Sequence, residues 1–190
     1  MKVSTEDLTI ESGGELDAQI DTLRLEHDRG RELISGMAAS LDGYAKGDAR
    51  KTAAKAAELV KDGGCCCVVL NTVRQAQAVY SMLKTTLSDS ERLLFHARFM
   101  ASDRQQITET VLNLFGRDTS SRPSKFVLVA TQVVEQSLDV DFDHMISEIA
   151  PIDLLLQRGG RIKRHSRDKN GKLIDGRDQR GTPVLQILVP

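Results

Sequence analysis

Gly63-Gly64-Cys65-Cys66-Cys67-Val68-Val69-Leu70-Asn71-Thr72-Val73 decides the fold class of this 190-residue chain. Upstream, Ala45 to Lys61 is rich in alanine with apolar residues near helical spacing, and the glycine pair stands where a helix stops. Cys65 to Leu70 is wholly apolar and partly β-branched, the pattern of a short strand buried on both faces. Thr72 then precedes Val73, Ala76, Val79, Tyr80 and Leu83 at helical spacing, with its hydroxyl placed to cap the new helix. Helix, buried strand and helix in succession are one turn of an α/β fold.

The same alternation continues in the C-terminal direction. Leu93 to Phe95 reads as a second strand, and Ser102 with Gln105 has capping-box spacing ahead of Ile107, Val111, Leu112 and Phe115. Gly116 ends that helix. A third strand is expected over Phe126 to Ala130 and a fourth from about His144 to Glu148. Pro151 suits the first turn of a helix that carries Leu154, Leu155 and Leu156 into a basic stretch. Ser166 to Thr182 is a long polar loop, expected to be mobile, before a last strand over Val184 to Val189. Strands alternating with helices on this spacing imply a mostly parallel, doubly wound α/β sheet flanked by helices. In such sheets the functional residues lie just beyond the C-terminal ends of the strands.

Composition sets the boundaries. A hydrophobic share of 40% supplies a core for one domain, expected over 61–190. Residues 1–60 read as an acidic, helical, partly disordered linker region. The apolar runs fall far short of the roughly 20 residues that cross a bilayer, and the N-terminus is acidic rather than a basic signal region, so no membrane is expected. The three cysteines are consecutive, which excludes a disulfide framework and the C-x-x-C spacing of a zinc site and suits a reducing, cytoplasmic setting. A net charge of −1 argues by itself against nucleic acid, yet it conceals a gradient. Eight acids against three bases in the first 30 residues give −5, whereas nine bases against three acids from Gln157 to Arg180 give +6. The total is therefore no evidence in either direction.

The chemistry concentrates in Gln157-Arg158-Gly159-Gly160-Arg161-Ile162-Lys163-Arg164, of the form Q-R-x-G-R-x-x-R. On a helix Arg161 and Arg164 are three apart and share a face, and a pair of planar, permanently charged forks suits a phosphate whose charge grows during transfer. Taken alone, the octapeptide reads equally well as a solvated basic face. Upstream, Val129-Ala130-Thr131-Gln132-Val133-Val134-Glu135-Gln136-Ser137-Leu138-Asp139-Val140-Asp141 follows a buried strand.

Together the two segments resemble motifs V and VI of superfamily 2 helicases. Pro151, Asp153 and Leu154 before the Gln-Arg pair, and His165 after it, look like the helicase and nuclease family of type I CRISPR systems. Asn71-Thr72 is similar to the family's motif IV region, and Phe95-His96-Ala97-Arg98-Phe99 follows the second strand as in the family. The resemblance covers roughly Cys65 to Pro190.

It implies a RecA-like domain, three-layered, with the second and third arginines of the motif, Arg161 and Arg164, reaching toward ATP held by another RecA-like domain. Arg164 is then the arginine finger, a group that contributes about 10³ to 10⁵ in rate in phosphoryl-transfer enzymes. Gln157 and Arg158 are implied at the domain interface near the nucleotide, and Asp139 near the ribose. Asn71, Thr72, His96, Arg98, Thr131 and Gln132 are implied to face a translocated DNA strand, holding phosphates without reading bases. Each has a plainer alternative. Thr72 can be a helix cap only, His96 a partly buried histidine, and Asp139 a turn cap; Cys65 to Cys67 are core. Asp143-His144 is neither a metal site nor a DExH box, because Phe142 occupies the second acidic place.

No G-x-x-x-x-G-K-[ST] occurs: Gly171-Lys172 has Ser166 where the first glycine belongs and Leu173 where the hydroxyl belongs. The histidines, His27, His96, His144 and His165, are scattered rather than grouped for a nuclease. The resemblance thus implies the second RecA-like half of an ATP-dependent helicase of CRISPR interference. ATP with Mg²⁺ would be held mainly by the partner domain, and this chain alone would have neither ATPase nor nuclease activity. Its implied partners are the first RecA-like domain, a nuclease domain, single-stranded DNA and the CRISPR surveillance complex. The alternatives are a free-standing nucleic-acid or Cascade-binding regulatory module and half of another superfamily 2 helicase.

Overall fold

The computed structural model describes residues 48–118, 120–135 and 138–188. The acidic first 30 residues, most of the expected linker, Gln136, Ser137 and Val189 lie outside the described residues. The elements are α1 (Ala49–Leu59), β1 (Gly64–Val69), α2 (Val73–Leu83), β2 (Arg92–Phe95), α3 (Ala101–Phe115), β3 (Lys125–Ala130), β4 (His144–Glu148), α4 (Ile152–Gly159) and β5 (Leu185–Leu188). Short 3₁₀ turns occupy Asp89–Glu91 and Gln132–Glu135.

Five strands form one sheet in the order β2-β3-β1-β4-β5, and each pairing is parallel. β1 lies at the centre, with Cys66 opposite Val127 on one side and His144 on the other. Gly63 and Gly64 carry the chain from α1 into this strand at φ of 108° and 99°, a left-handed backbone that side chains resist. A Cβ on Gly63 would also press to 3.2 Å from the Ser124 carbonyl.

Successive side chains of β1 serve opposite faces. Cys65, Cys67 and Val69 pack with Val111 and Phe115 of α3, Phe126, Phe142 and Leu155 of α4. Cys66, Val68 and Leu70 pack with Ala53 and Ala56 of α1 and Val79 and Leu83 of α2. The result is the expected three-layer α/β domain, and it explains why β1 has no polar position. The cysteine trio is core: all three are fully buried, and burial pushes the thiols of Cys65 and Cys67 up to about 12.

Four expectations change. Ala53, Ala56 and Val60 are buried in the same cluster as Val68, so the boundary expected near residue 60 falls inside the packed unit, which includes α1. The capping box at Ser102 does not form, because α3 begins at Ala101 and Ser102 lies inside its first turn, where its hydroxyl meets Asp103 instead of a backbone N–H.

Arg161 and Arg164 are not on a helix. α4 stops at Gly159, and the following backbone pairs with Phe142: Phe142 donates to the Arg161 carbonyl at 2.9 Å, and Lys163 donates to the Phe142 carbonyl at 2.8 Å. Two glycines weaken the helix at the point where this bridge competes for its backbone.

The loop after Ser166, expected to be mobile, is stitched to the domain. Arg167 donates to Asp141 at 2.6 Å and to the Gly116 carbonyl at 2.9 Å. Arg180 reaches Asp141, Asp143 and Asp178 together, and Arg122 donates to Asp143 at 2.9 Å. Composition suggested a polar, solvated segment, but its arginines find buried carboxylates on the β4 side of the sheet.

Candidate functional site

Every strand of a parallel sheet ends on the same edge, and the order β2-β3-β1-β4 puts the residues that follow these strands in a row. After β2, His96 is buried and stacked on Phe99 with ring centroids 4.2 Å apart, its Nδ1 without a hydrogen-bond partner among the described residues, while Arg98 is exposed. After β3, Thr131 is buried and donates its backbone N–H to Phe95, and Gln132 is exposed. After β1, Asn71 donates its side-chain amide to the Ile149 carbonyl at 2.9 Å, and Gln132 donates to the Asn71 carbonyl at 3.3 Å. Thr72 caps α2 by accepting from the Gln75 N–H at 3.2 Å, the plainer of its two readings, yet the residue remains exposed.

Two of the six expected strand contacts, Asn71 and Gln132, therefore touch. Thr131 and His96 are enclosed at the same edge, and Thr72 and Arg98 face solvent.

The arginine motif lies on a flank. α4 starts beyond the end of β4 and returns toward its beginning, where Ile162 bridges Phe142. Glu135, Leu138, Asp139, Gln157, Gly160, Arg161 and Arg164 line an open cleft of about 430 Å³. Gln157 is exposed on its wall. Arg161 is nearly buried and donates to the Leu138 carbonyl and, at 2.8 Å, to the Glu135 carbonyl. Carbonyls do not neutralise its charge; burial, then the charge of Arg164, holds its pKa below the usual arginine value.

Arg164 donates to Asp139 at 2.6 Å, and His165 Nε2 lies 3.0 Å from the same oxygen. Burial alone would raise the Asp139 carboxyl, but the hydrogen bond from Arg164 and the charges of His165 and Arg164 hold it below its ordinary value. Both ends of the Arg164–Asp139 pair are about half exposed, at 42% and 52%. Arg158 is different: its guanidinium is enclosed at 1% exposure, donating to Glu135 at 2.7 Å, Ser147 Oγ at 2.7 Å and the Glu148 carbonyl at 3.1 Å.

Chemically, the cleft offers two cationic forks, an amide and the Asp139 carboxylate to an anionic group that enters from solvent, while the Glu135 carboxylate is taken up by Arg158. The described residues include no cluster of three or more His, Cys, Asp or Glu placed to hold a metal ion, and none of their helices is long and apolar enough to cross a membrane.

The sequence model of the family described as CRISPR-associated nuclease/helicase Cas3, C-terminal, matches residues 62–167, more than half of the chain. The chain belongs to this Cas3-like C-terminal family. The CRISPR-associated endonuclease/helicase Cas3 of Escherichia coli (strain K12) is 45% identical over 125 residues, covering 65% of this chain and 13% of that protein. The crystal structure of T. fusca Cas3-ATP is similar at a TM-score of 0.66 and 41% identity, over 78% of this chain and 17% of that one. A chain of the CRISPR RNA-guided surveillance complex, pre-nicking, is similar at a TM-score of 0.58 and 40% identity, over 77% and 18%. The sequence thus spans less than a fifth of each of these three relatives, and over that span it has the parallel α/β sheet of the Cas3-like C-terminal family.

Sequence reasoning missed the acids that organise this Cas3-like domain. Asp141 is fully buried among Arg122, Arg167 and Arg180, and Glu148 is buried at the end of β4. Asp139-Val140-Asp141-Phe142-Asp143 gives no signal of this burial, because alternation with large apolar residues in an extended run sets the three acids on one face, the pattern of a solvent-facing edge. The arginines on Asp141 lie up to 39 residues away, and the Asn71 N–H that Glu148 accepts from lies 77 residues away.

Proposed function

We propose that this chain is the second RecA-like half of an ATP-driven single-strand DNA translocase of type I CRISPR interference. In this reading it contributes motifs IV, V and VI to a cleft completed by a first RecA-like domain, which holds most of ATP and Mg²⁺. Arg164 serves as the arginine finger and Arg161 as a second cation beside it, with Gln157 and Asp139 at the nucleotide. Arg158 supports them from inside the domain. Asn71, Thr72, His96, Arg98, Thr131 and Gln132 form the edge along which a DNA strand passes. A nuclease domain and the CRISPR surveillance complex are the further partners.

The observation that carries the reading is the convergence of Arg161, Arg164, Gln157 and Asp139 on one open cleft of a Cas3-like domain. Two permanently charged forks beside a gap suit a growing phosphoryl charge, and Arg164 reaches that gap while still paired with Asp139.

The test grafts residues 48–188, which keep α1 with the sheet, into the Escherichia coli relative in place of its matching segment. The chimera should hydrolyse ATP in a DNA-stimulated manner, and Arg164→Ala should lower that turnover by about 10³ or more with the melting temperature unchanged. The isolated chain should show no turnover. Undiminished hydrolysis by both Arg164→Ala and Arg161→Ala chimeras would sink the finger assignment.

A further inference from the structure

Between the sheet edge and the arginine cleft runs an unbroken series of hydrogen bonds, and Glu148 is its pivot. Its carboxylate accepts from the Asn71 backbone N–H at 2.6 Å and from Gln75 Nε2 at 2.7 Å, and Gln75 in turn accepts from the Thr72 hydroxyl at 2.6 Å. The backbone carbonyl of the same residue accepts from Arg158, as does the neighbouring Ser147 hydroxyl. Arg158 then holds the Glu135 carboxylate at 2.7 Å, and the Glu135 carbonyl accepts from Arg161 at 2.8 Å.

The members are enclosed: Glu148 is 2% and Arg158 1% exposed. Neither donor to the Glu148 carboxylate carries a charge, so this buried acid is tolerable only while both short hydrogen bonds persist. Such a group resists independent movement. A shift of Asn71-Thr72 must either break a charge-assisted bond inside the protein or carry Glu148 along, and Glu148 shares its backbone with the acceptor of Arg158.

We infer that Glu148, acting through Arg158 and Glu135, is a positioning residue that ties the placement of Asn71 and Thr72 at the sheet edge to the placement of Arg161 in the cleft. It touches neither nucleotide nor DNA. The inference rests on the reading that the edge holds a DNA strand, and it adds the route by which occupancy of that edge reaches the arginines.

The experiment titrates an oligothymidine into the ¹⁵N-labelled 190-residue chain and follows backbone amides together with arginine Nε–Hε signals. In the wild type, DNA should shift Asn71 and Gln132 and, at the same oligonucleotide concentrations, the Nε–Hε signals of Arg158 and Arg161. Glu148→Gln should keep the edge shifts and lose the arginine shifts. Adding Gln75→Glu should restore them, because Gln at 148 can accept from Asn71 and donate to Glu at 75, which still accepts from Thr72. A merely structural role would not make the DNA response of the arginines follow this amide and carboxylate exchange.

Edge shifts without arginine shifts in the wild type overturn the inference while leaving the strand-contact reading standing, as do undiminished arginine shifts in Glu148→Gln. Absence of edge shifts refutes the strand-contact reading and the inference with it. The wild-type titration decides alone if Glu148→Gln fails to fold.

Discussion

Arg164 and Arg167 stand three residues apart, and each donates to an aspartate at 2.6 Å, but the two pairs have unequal consequences. Arg164–Asp139 is about half exposed, so water and salt replace most of what the pair supplies, and such pairs contribute about 1 kcal/mol or less. Arg167–Asp141 is sealed at 1% and 0% exposure, and removing one partner of a buried pair costs about 3–5 kcal/mol. Urea unfolding should therefore place Arg164→Ala within about 1 kcal/mol of the wild type and Arg167→Ala about 3–5 kcal/mol below it. Equal losses in the two variants would contradict this division between a cation kept for a ligand and one kept for the fold. The cysteines make a second residue-scale prediction. With thiols fully buried and those of Cys65 and Cys67 pushed up to about 12, a thiol-exchange reagent should label none of the three in the native chain at neutral pH and all three in denaturant. Rapid native labelling would show that β1 is not the central strand.

Among the elements, the segment between α4 and β5 is the one most governed by charge, and its stability should follow pH. Burial alone would raise the Asp143 carboxyl, but the Arg122 charge, the Cys65 N–H and Arg180 together hold it below 3.8; Asp178 is lowered likewise, chiefly by Arg180. Below about 3.8 the unfolded chain takes up protons that the folded chain refuses, so stability is present above that pH and is lost as pH falls through the depressed values. His144, which opens β4 beside Asp143, has its pKa lowered from 6.5 mainly by burial. The unfolded chain therefore protonates first as pH falls below 6.5, and stability declines there too. Melting temperature should fall between pH 7.5 and pH 5.5, and less so in His144→Gln. A flat profile in the wild type would remove His144 from the account. The strands were legible as short apolar runs and the helices by their apolar spacing, most plainly at β1, which Gly63-Gly64 and Thr72 bound; α3 has no such cap at its start. The end of α4 was not, since Phe142 competes for the Arg161–Lys163 backbone from about 20 residues upstream. The anchoring of the 166–182 loop was also hidden, because its carboxylates at Asp141 and Asp143 lie on another element.

On the scale of the whole molecule, the same pairing changes what the basic C-terminal run means. Nine bases between Gln157 and Arg180 suggest an electropositive surface. Arg158, Arg161 and Arg167 are buried, and Arg180 is shared among three aspartates, so much of that charge is spent inside the domain. In the segments that directly follow β1 and β2 the exposed bases are Arg74 and Arg98, while the other proposed contacts are amides, a hydroxyl or enclosed groups. DNA affinity should then depend only weakly on salt. Each neutralised phosphate of a single strand contributes about −0.7 to the slope of log K against log salt concentration, so two contacts give a slope of about −1.4. Engagement of all nine bases would give about −6. Fluorescence anisotropy of a labelled oligothymidine between 50 and 200 mM KCl separates the two, since the first lowers affinity by about sevenfold and the second by several thousandfold. The Arg98→Ala variant should flatten the slope by about 0.7, whereas Lys169→Ala in the polar loop should leave it unchanged. A steep wild-type slope that Lys169→Ala reduces would move the DNA path away from the C-terminal edge of the sheet and onto the loop that follows the arginine motif.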